Sequence, residues 1–195
     1  DGVTTFDSQA YFVPPGGNTR ERNRGRAVMA GGMKYPTATA EIIETLEIQS
    51  GGMTQDFGDL TTPSSTGAPV SSSTRGVIIA GLTPSRTNVM EFVTIANTGN
   101  STDFGDFHED LGYLGGVSNE TRGVAAGGNG PNSPSGVNVL AFVTIATTGN
   151  SSNFGDLSSV AFSPIGAQSS TRGLFCIGYS STFVNTIEFI TIATT

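Results

Sequence analysis

Short apolar runs rich in β-branched and aromatic residues alternate along the chain with clusters of Gly, Ser, Thr and Asn. Runs of this length without i, i+3, i+4 spacing predict strands rather than helices. The clearest cover residues 75–82, 89–96, 123–128, 139–146, 173–179 and 186–194. Residues 26–32 are apolar and end in glycine, which predicts a strand buried on both faces. Residues 40–49 (AEIIETLEIQ) have the composition of a helix, but the same register later reads NVMEFVTIA and NVLAFVTIA. The β-branched and aromatic content of those copies predicts a strand here too. Third elements are expected at 103–106 and 153–157, and fourth elements at 112–117 and 159–165. Turn clusters separate them, including Asn129-Gly130, a pair suited to the positive φ of a tight hairpin.

The elements recur. Residues 142–156 read FVTIATTGNSSNFGD, residues 92–106 read FVTIANTGNSTDFGD, and residues 45–59 carry the more divergent TLEIQSGGMTQDFGD. Residues 189–195 (FITIATT) open the phrase once more. Between the copies stand RAVMAGG, TRGVIIAG, TRGVAAGG and TRGLFCIG, with arginines at 26, 75, 122 and 172 and thus spacings of 49, 47 and 50 residues. A self-similar period of this size indicates a repeat architecture. It divides the 195 residues into one repeat domain: an entry or closing segment at 1–25, then repeats near 26–74, 75–121, 122–171 and 172–195. Phe6-Asp7 precedes Arg26 by 20 residues, close to the 18 that separate Phe57, Phe104 and Phe154 from their arginines. The first segment is therefore a stand-in for the element that the last repeat lacks.

Composition agrees with an all-β chain of tight turns: glycine is 27 of 195 residues and charged residues are 13%. The net charge of −7 argues against nucleic acid or an anionic membrane as partner, since both require a basic surface. Arg20, Arg22 and Arg24 beside Glu21 read as a solvated entry loop. No apolar run approaches the ~18 residues of a membrane span. The single cysteine, Cys176, sits in an apolar run and is expected to be a buried structural thiol.

The residues resemble the kelch repeat. Gly31-Gly32 and Gly127-Gly128, with single glycines at Gly81 and Gly178, match its strand-ending double glycine. Phe57, Phe104 and Phe154 stand where kelch repeats usually carry an inter-blade Trp. The wording TRGV…GG…FVTIATTGN…DFGDL more narrowly resembles repeat proteins of tailed phages of aquatic bacteria, within or beside tail-fibre genes. The resemblance covers the chain from Arg26 onward. It implies a small β-propeller of about four blades, each a four-stranded antiparallel sheet. The Arg-Gly-Val strands would be innermost, and the N- and C-terminal strands (residues 1–9 and 186–195) would share a blade and close the ring. Each buried Phe would contribute ~2 kcal/mol.

Candidate chemistry is sparse. Asp-Phe-Gly at Asp56 and Asp103 matches a kinase metal-binding triplet, but the remaining kinase motifs are missing and the triplet follows the repeat period. Asn100, Asp103 and Asp106, repeated as Asn150, Asn153 and Asp156, offer oxygen ligands; too few carboxylates accompany them for calcium, and structural turns are the favoured reading. The recurring Arg26, Arg75, Arg122 and Arg172 and the recurring Asp59, Asp106 and Asp156 are expected to form buried ion pairs between strands, with an anion-binding arginine ring as alternative. His108 stands beside Glu109 and Asp110, at a position read as unmatched in the other repeats. One His and one Cys are too few for zinc. No cofactor is implied and no catalytic set emerges.

Function in a repeat ring is expected where the repeat is broken. Those stretches are residues 11–24, led by Tyr11, Phe12 and Val13, residues 107–110 with His108, Glu109 and Asp110, and residues 129–136. The expected function is a non-enzymatic structural or adhesin module of a virion, such as a phage tail-fibre or surface-fibre domain acting in host recognition. Its partners would be other virion or fibre proteins, and its location the virion or the extracellular space. The alternative is a lectin-like propeller binding host surface glycan. If one chain does not close the ring, exposed edge strands lead to homo-oligomers.

Overall fold

The computed structural model describes residues 25–34, 38–48, 52–180 and 182–193. The chain is all-β, and no helix occurs among the described residues. Four antiparallel sheets follow one another in sequence. The first is formed by β1 (Arg26–Ala30), β4 (Ile42–Glu47) and β5 (Gln55–Asp59), with a two-stranded ribbon of β2 (Met33–Lys34) and β3 (Ala38–Thr39) in its β1–β4 connection. The second contains β6 (Ala68–Ser71), β7 (Arg75–Thr83), β8 (Ser85–Thr94) and β9 (Thr102–Leu111). The third contains β10 (Gly115–Ser118), β11 (Arg122–Ala126), β12 (Val137–Thr144) and β13 (Ser152–Ala161). The fourth holds β14 (Ile165–Gln168), β15 (Arg172–Ser180) and β16 (Thr182–Thr191).

The ambiguous stretch at 40–49 is a strand, and its alternating burial explains why: Ile43 and Thr45 point inward while Ile42 and Glu44 are exposed. Two expectations change. The third elements are longer than predicted, since β9 and β13 each run ten residues. The expected fourth elements do not complete their own sheets: β10 and β14 pair with the arginine strands β11 and β15 that follow them. Tyr113 and Ser163, at φ 61 and 55, adopt left-handed backbone just before these strands and swing the chain out of one sheet into the next. Each full sheet thus opens with a short strand ahead of its Arg-Gly strand. The short strands β6, β10 and β14, rather than the arginine strands, lie side by side from sheet to sheet. The proposed pairing of residues 1–9 with the last sheet, and the segment Tyr11, Phe12 and Val13, lie outside the described residues.

Alternation along the strands gives every sheet two apolar faces, and each junction buries the forward face of one sheet against the rear face of the next. At the first junction Ile43, Phe57 and Leu60 meet Val93 and Ile78. At the second Val77, Ile79, Met90 and Phe104 meet Ala125, Ala141, Val143 and Ile145. At the third Val124, Ala126, Leu140 and Leu157 meet Phe175, Ile177 and Ile192. Burial on both faces holds for β11, where Gly123 to Ala126 are all buried, but not for β1, whose residues are half-buried and whose Met29 is exposed. Cys176 is also exposed, contrary to expectation. It pairs with Ile187 on the forward face of the last sheet, where no further sheet covers it among the described residues.

Candidate functional site

The repeated polar residues converge on the seams between sheets. The turn after β8 reaches back to β5: Gly99 N–H donates to the Phe57 carbonyl at 2.7 Å and Ser101 N–H to the Asp59 carbonyl at 2.9 Å. Asn100 Oδ1 accepts the Asp59 N–H at 3.1 Å. The turn after β12 repeats the contact on β9, with Gly149 to Phe104 at 2.7 Å, Ser151 to Asp106 at 3.0 Å, and Asn150 Oδ1 accepting from Asp106 N–H at 3.0 Å. The Phe-Gly-Asp phrase is a socket and the Gly-Asn-Ser phrase is its plug. The middle glycine is required because the backbones touch: a Cβ on Gly105, at φ +134, would lie 2.7 Å from the Gly149 carbonyl oxygen. Asn100 and Asn150 are engaged in this joint, and among the described residues no group of three or more His, Cys, Asp or Glu side chains is placed to hold a metal.

The arginines cross the same seams, but not to aspartate. Arg26 Nη1 donates to the Ile95 carbonyl at 2.8 Å, Arg75 Nη1 to that of Ile145 at 3.0 Å, and Arg122 Nη1 to that of Ile192 at 3.2 Å. Arg75, Arg122 and Arg172 each lie over a phenylalanine of their own sheet, at 4.1 Å from the Phe92 ring, 4.3 Å from Phe142 and 4.6 Å from Phe189. Phe92 and Phe142 in turn meet Phe104 and Phe154 edge to face. The expected buried Arg–Asp pairs do not form: Asp59, Asp106 and Asp156 are exposed, and Arg26, Arg75 and Arg122 donate to main-chain carbonyls instead. Of the recurring arginines, Arg26 makes an ion pair, with Glu47 at 2.9 Å on its neighbouring strand. Main-chain acceptors escape a search for complementary side chains, so this pairing had no signature in the sequence.

A third link went unnoticed in the sequence, although its residues recur. Glu91, buried in β8, accepts hydrogen bonds from the hydroxyl and N–H of Thr61, the N–H of Thr62 and the hydroxyl of Ser101. Glu188 holds Ser158 in the same way, through its N–H at 2.9 Å and its hydroxyl at 2.7 Å. By position, His108 corresponds to Thr61 and Ser158. There the glutamate is replaced by Ala141, and the His108 N–H donates to Ser151 Oγ instead. His108 therefore occupies a repeat position after all. Its ring packs on Phe107, and Glu109 and Asp110 are exposed beside it on β9.

Among the described residues, a polar cavity and an aromatic row stand out as surfaces open to a ligand. A cavity of about 770 Å³ opens where the turns before the arginines converge, lined by Ser72, Asn119, Glu120, Ser169 and neighbouring residues. Ser72, Asn119 and Ser169 each accept the N–H of the arginine three residues on, so three of its polar groups are already engaged. The other surface is a row of aromatics that runs from the β9–β10 and β13–β14 connections onto β15 and β16. Tyr113 stacks on Phe162 at 4.8 Å, Phe162 meets Tyr179 at 6.1 Å, and Tyr179 meets the highly exposed Phe183 at 5.6 Å. The loop at 129–136 is internally tied: Asn129 is buried, accepts from Arg86 Nε at 3.0 Å and donates to the Pro134 carbonyl at 3.2 Å. His108 lines neither the 770 Å³ cavity nor a second of about 600 Å³ beside β1. No protein-family model matches the chain, and no curated protein is detectably similar to it.

Proposed function

We propose that the chain is a non-enzymatic structural or adhesin module of a virion, a phage tail-fibre or surface-fibre domain whose loops bind another macromolecule. The plug-and-socket seam carries this reading. The residues that recur most strictly, Phe-Gly-Asp, Gly-Asn-Ser and the arginines, join sheet to sheet and leave the variable loops to differ. That division of labour suits a scaffold, because selection on the scaffold preserves the joints while loops diversify. The successive sheets are read as blades of a kelch-like propeller, in keeping with the resemblance of the repeat itself. The acidic surface favours protein or glycan over nucleic acid. Mass spectrometry of particles purified from cells carrying the gene tests the assignment. Finding the chain at structural stoichiometry in the particles supports it, whereas finding it in the cytosol alone, or turnover of a glycan by the pure protein, overturns it.

The row from Tyr113 to Phe183 favours a second reading, a lectin-like module. Exposed aromatic faces stack on the apolar faces of sugars, and the neighbouring hydroxyl-rich turns suit their polar rims. Glycan-array binding that is abolished by Phe183→Ala would select this reading.

A further inference from the structure

The three internal junctions share one design, and the two ends of the array each present half of it. Each exposed large hydrophobic side chain among the described residues lies in the first or the last sheet or its connections, and none lies in the middle two. On the forward face of the last sheet Ile165, Ile187 and Phe189 are 71%, 66% and 61% exposed, with Leu174 and Cys176 beside them. The counterparts of Leu174, Cys176 and Ile187 at the internal junctions, Val77, Ile79 and Met90 or Val124, Ala126 and Leu140, are at most 3% exposed. On the rear face of the first sheet Met29 and Ile42 are exposed, where the corresponding Ile78 of the second sheet packs into a junction.

The polar halves match as well. Arg26, Arg75 and Arg122 each reach the carbonyl of the isoleucine in the following sheet, at positions 95, 145 and 192. Among the described residues the Arg172 guanidinium has no such carbonyl, although it is set over Phe189 as its equivalents are over Phe92 and Phe142. The fourth isoleucine in register is Ile48, in the first sheet. Its N–H donates to the carbonyl just before Arg26, as those of Ile95, Ile145 and Ile192 donate to the carbonyls before Arg75, Arg122 and Arg172. Ile48 thus holds the same backbone arrangement with no guanidinium on its carbonyl among the described residues.

We propose that a second copy of this chain docks the rear face of its first sheet onto the forward face of the last sheet, with Arg172 of one copy donating to the Ile48 carbonyl of the other. The junction is heterologous, so a pair of copies joined at both ends closes a ring of eight sheets, and a pair joined at one end grows. One specific difference makes the junction weaker than the internal ones. The last sheet has three strands among the described residues and presents no Phe-Gly-Asp socket to the first sheet's Gly52-Met53-Thr54 turn, in which Met53 stands where the other turns carry the capping asparagine. The proposal is independent of what the loops bind.

Sedimentation velocity on the full chain across a concentration series tests it. Reversible association is expected, with Ile187→Glu (last sheet) and Met29→Glu (first sheet) each running as monomers of unchanged circular dichroism. An equimolar mixture of the two variants should recover association as a pair, because one junction in that pair has two unmodified faces. Arg172→Ala, at an exposed side chain, should keep the fold and weaken association by about tenfold. A wild-type chain that stays monomeric throughout means that the end faces are covered within one molecule, and overturns the proposal. So does association that both glutamate variants leave intact, or a mixture that remains monomeric.

Discussion

Arg75 and Ile145 stand 70 residues apart in sequence and meet at 3.0 Å, guanidinium to main-chain carbonyl, across the boundary between the second and third sheets. The same cation lies 4.1 Å from the Phe92 ring, so one side chain ties an aromatic of its own sheet to the backbone of the next. The contact returns at the junctions before and after it, and most of what can be tested about the fold concerns such crossings.

Arg122→Ala removes the bond to Ile192 and the stacking on Phe142. Both are half-buried, and a hydrogen bond to a charged donor together with a cation–π contact predicts a loss of about 1–3 kcal/mol. Arg122→Lys should recover part of this, since the charge survives and the planar stack does not. Urea unfolding of the two variants measures the difference.

Phe104 and Phe154 occupy the same repeat position in different surroundings. Phe104 is 2% exposed with a plug docked on its carbonyl, whereas Phe154 is half-buried at a socket that no described residue plugs. Phe104→Ala should cost about 3–5 kcal/mol, and Phe154→Ala no more than about half of that. Equal losses in thermal melts would contradict the asymmetry.

Gly105 and Gly155 separate backbone strain from steric contact. Both have positive φ, +134 and +146, so an alanine meets similar conformational strain at each. A Cβ on Gly105 strikes the Gly149 carbonyl, while one on Gly155 meets nothing within 4 Å. Gly105→Ala should therefore be the more destabilising by about 1–3 kcal/mol, the range for overpacking. Their unfolding midpoints, compared at equal chain concentration, check this.

Glu91→Ala strips the acceptor from two hydroxyls and two N–H groups at a buried site, and is expected to cost about 2–4 kcal/mol. Glu188→Ala, at an exposed version of the same clamp, should cost under about 1 kcal/mol. Calorimetry of both variants ranks them.

Much of the architecture was legible in the repeat. Its register was enough to identify residues 42–47 as a strand despite their helical composition, and the all-β class followed from turn chemistry and short apolar runs. The seams were not legible, and the reason is physical. Gly99 and Phe57 meet through main-chain atoms, which any residue carries, so nothing in their identity announces the pairing. Asn100 was read as a turn residue with a cation ligand as the lesser alternative, and its partner on the preceding sheet stayed hidden because an amide oxygen can accept from any backbone N–H. Cys176 was misjudged because an apolar run implies burial only where a neighbouring sheet covers it, and among the described residues the last sheet has no such cover.

The seam has a consequence for how such a chain changes length. Each interior repeat carries both a plug, sent to the sheet before it, and a socket, offered to the sheet after it. An in-frame duplication of one period, from whatever point it starts, therefore adds a complete joint and leaves every older joint intact. Recombination between the near-identical stretches at 92–106 and 142–156 would delete or add a whole sheet without creating a mismatched interface. Length becomes a property that genetic exchange can adjust in single steps, while the loops between the joints remain free to vary.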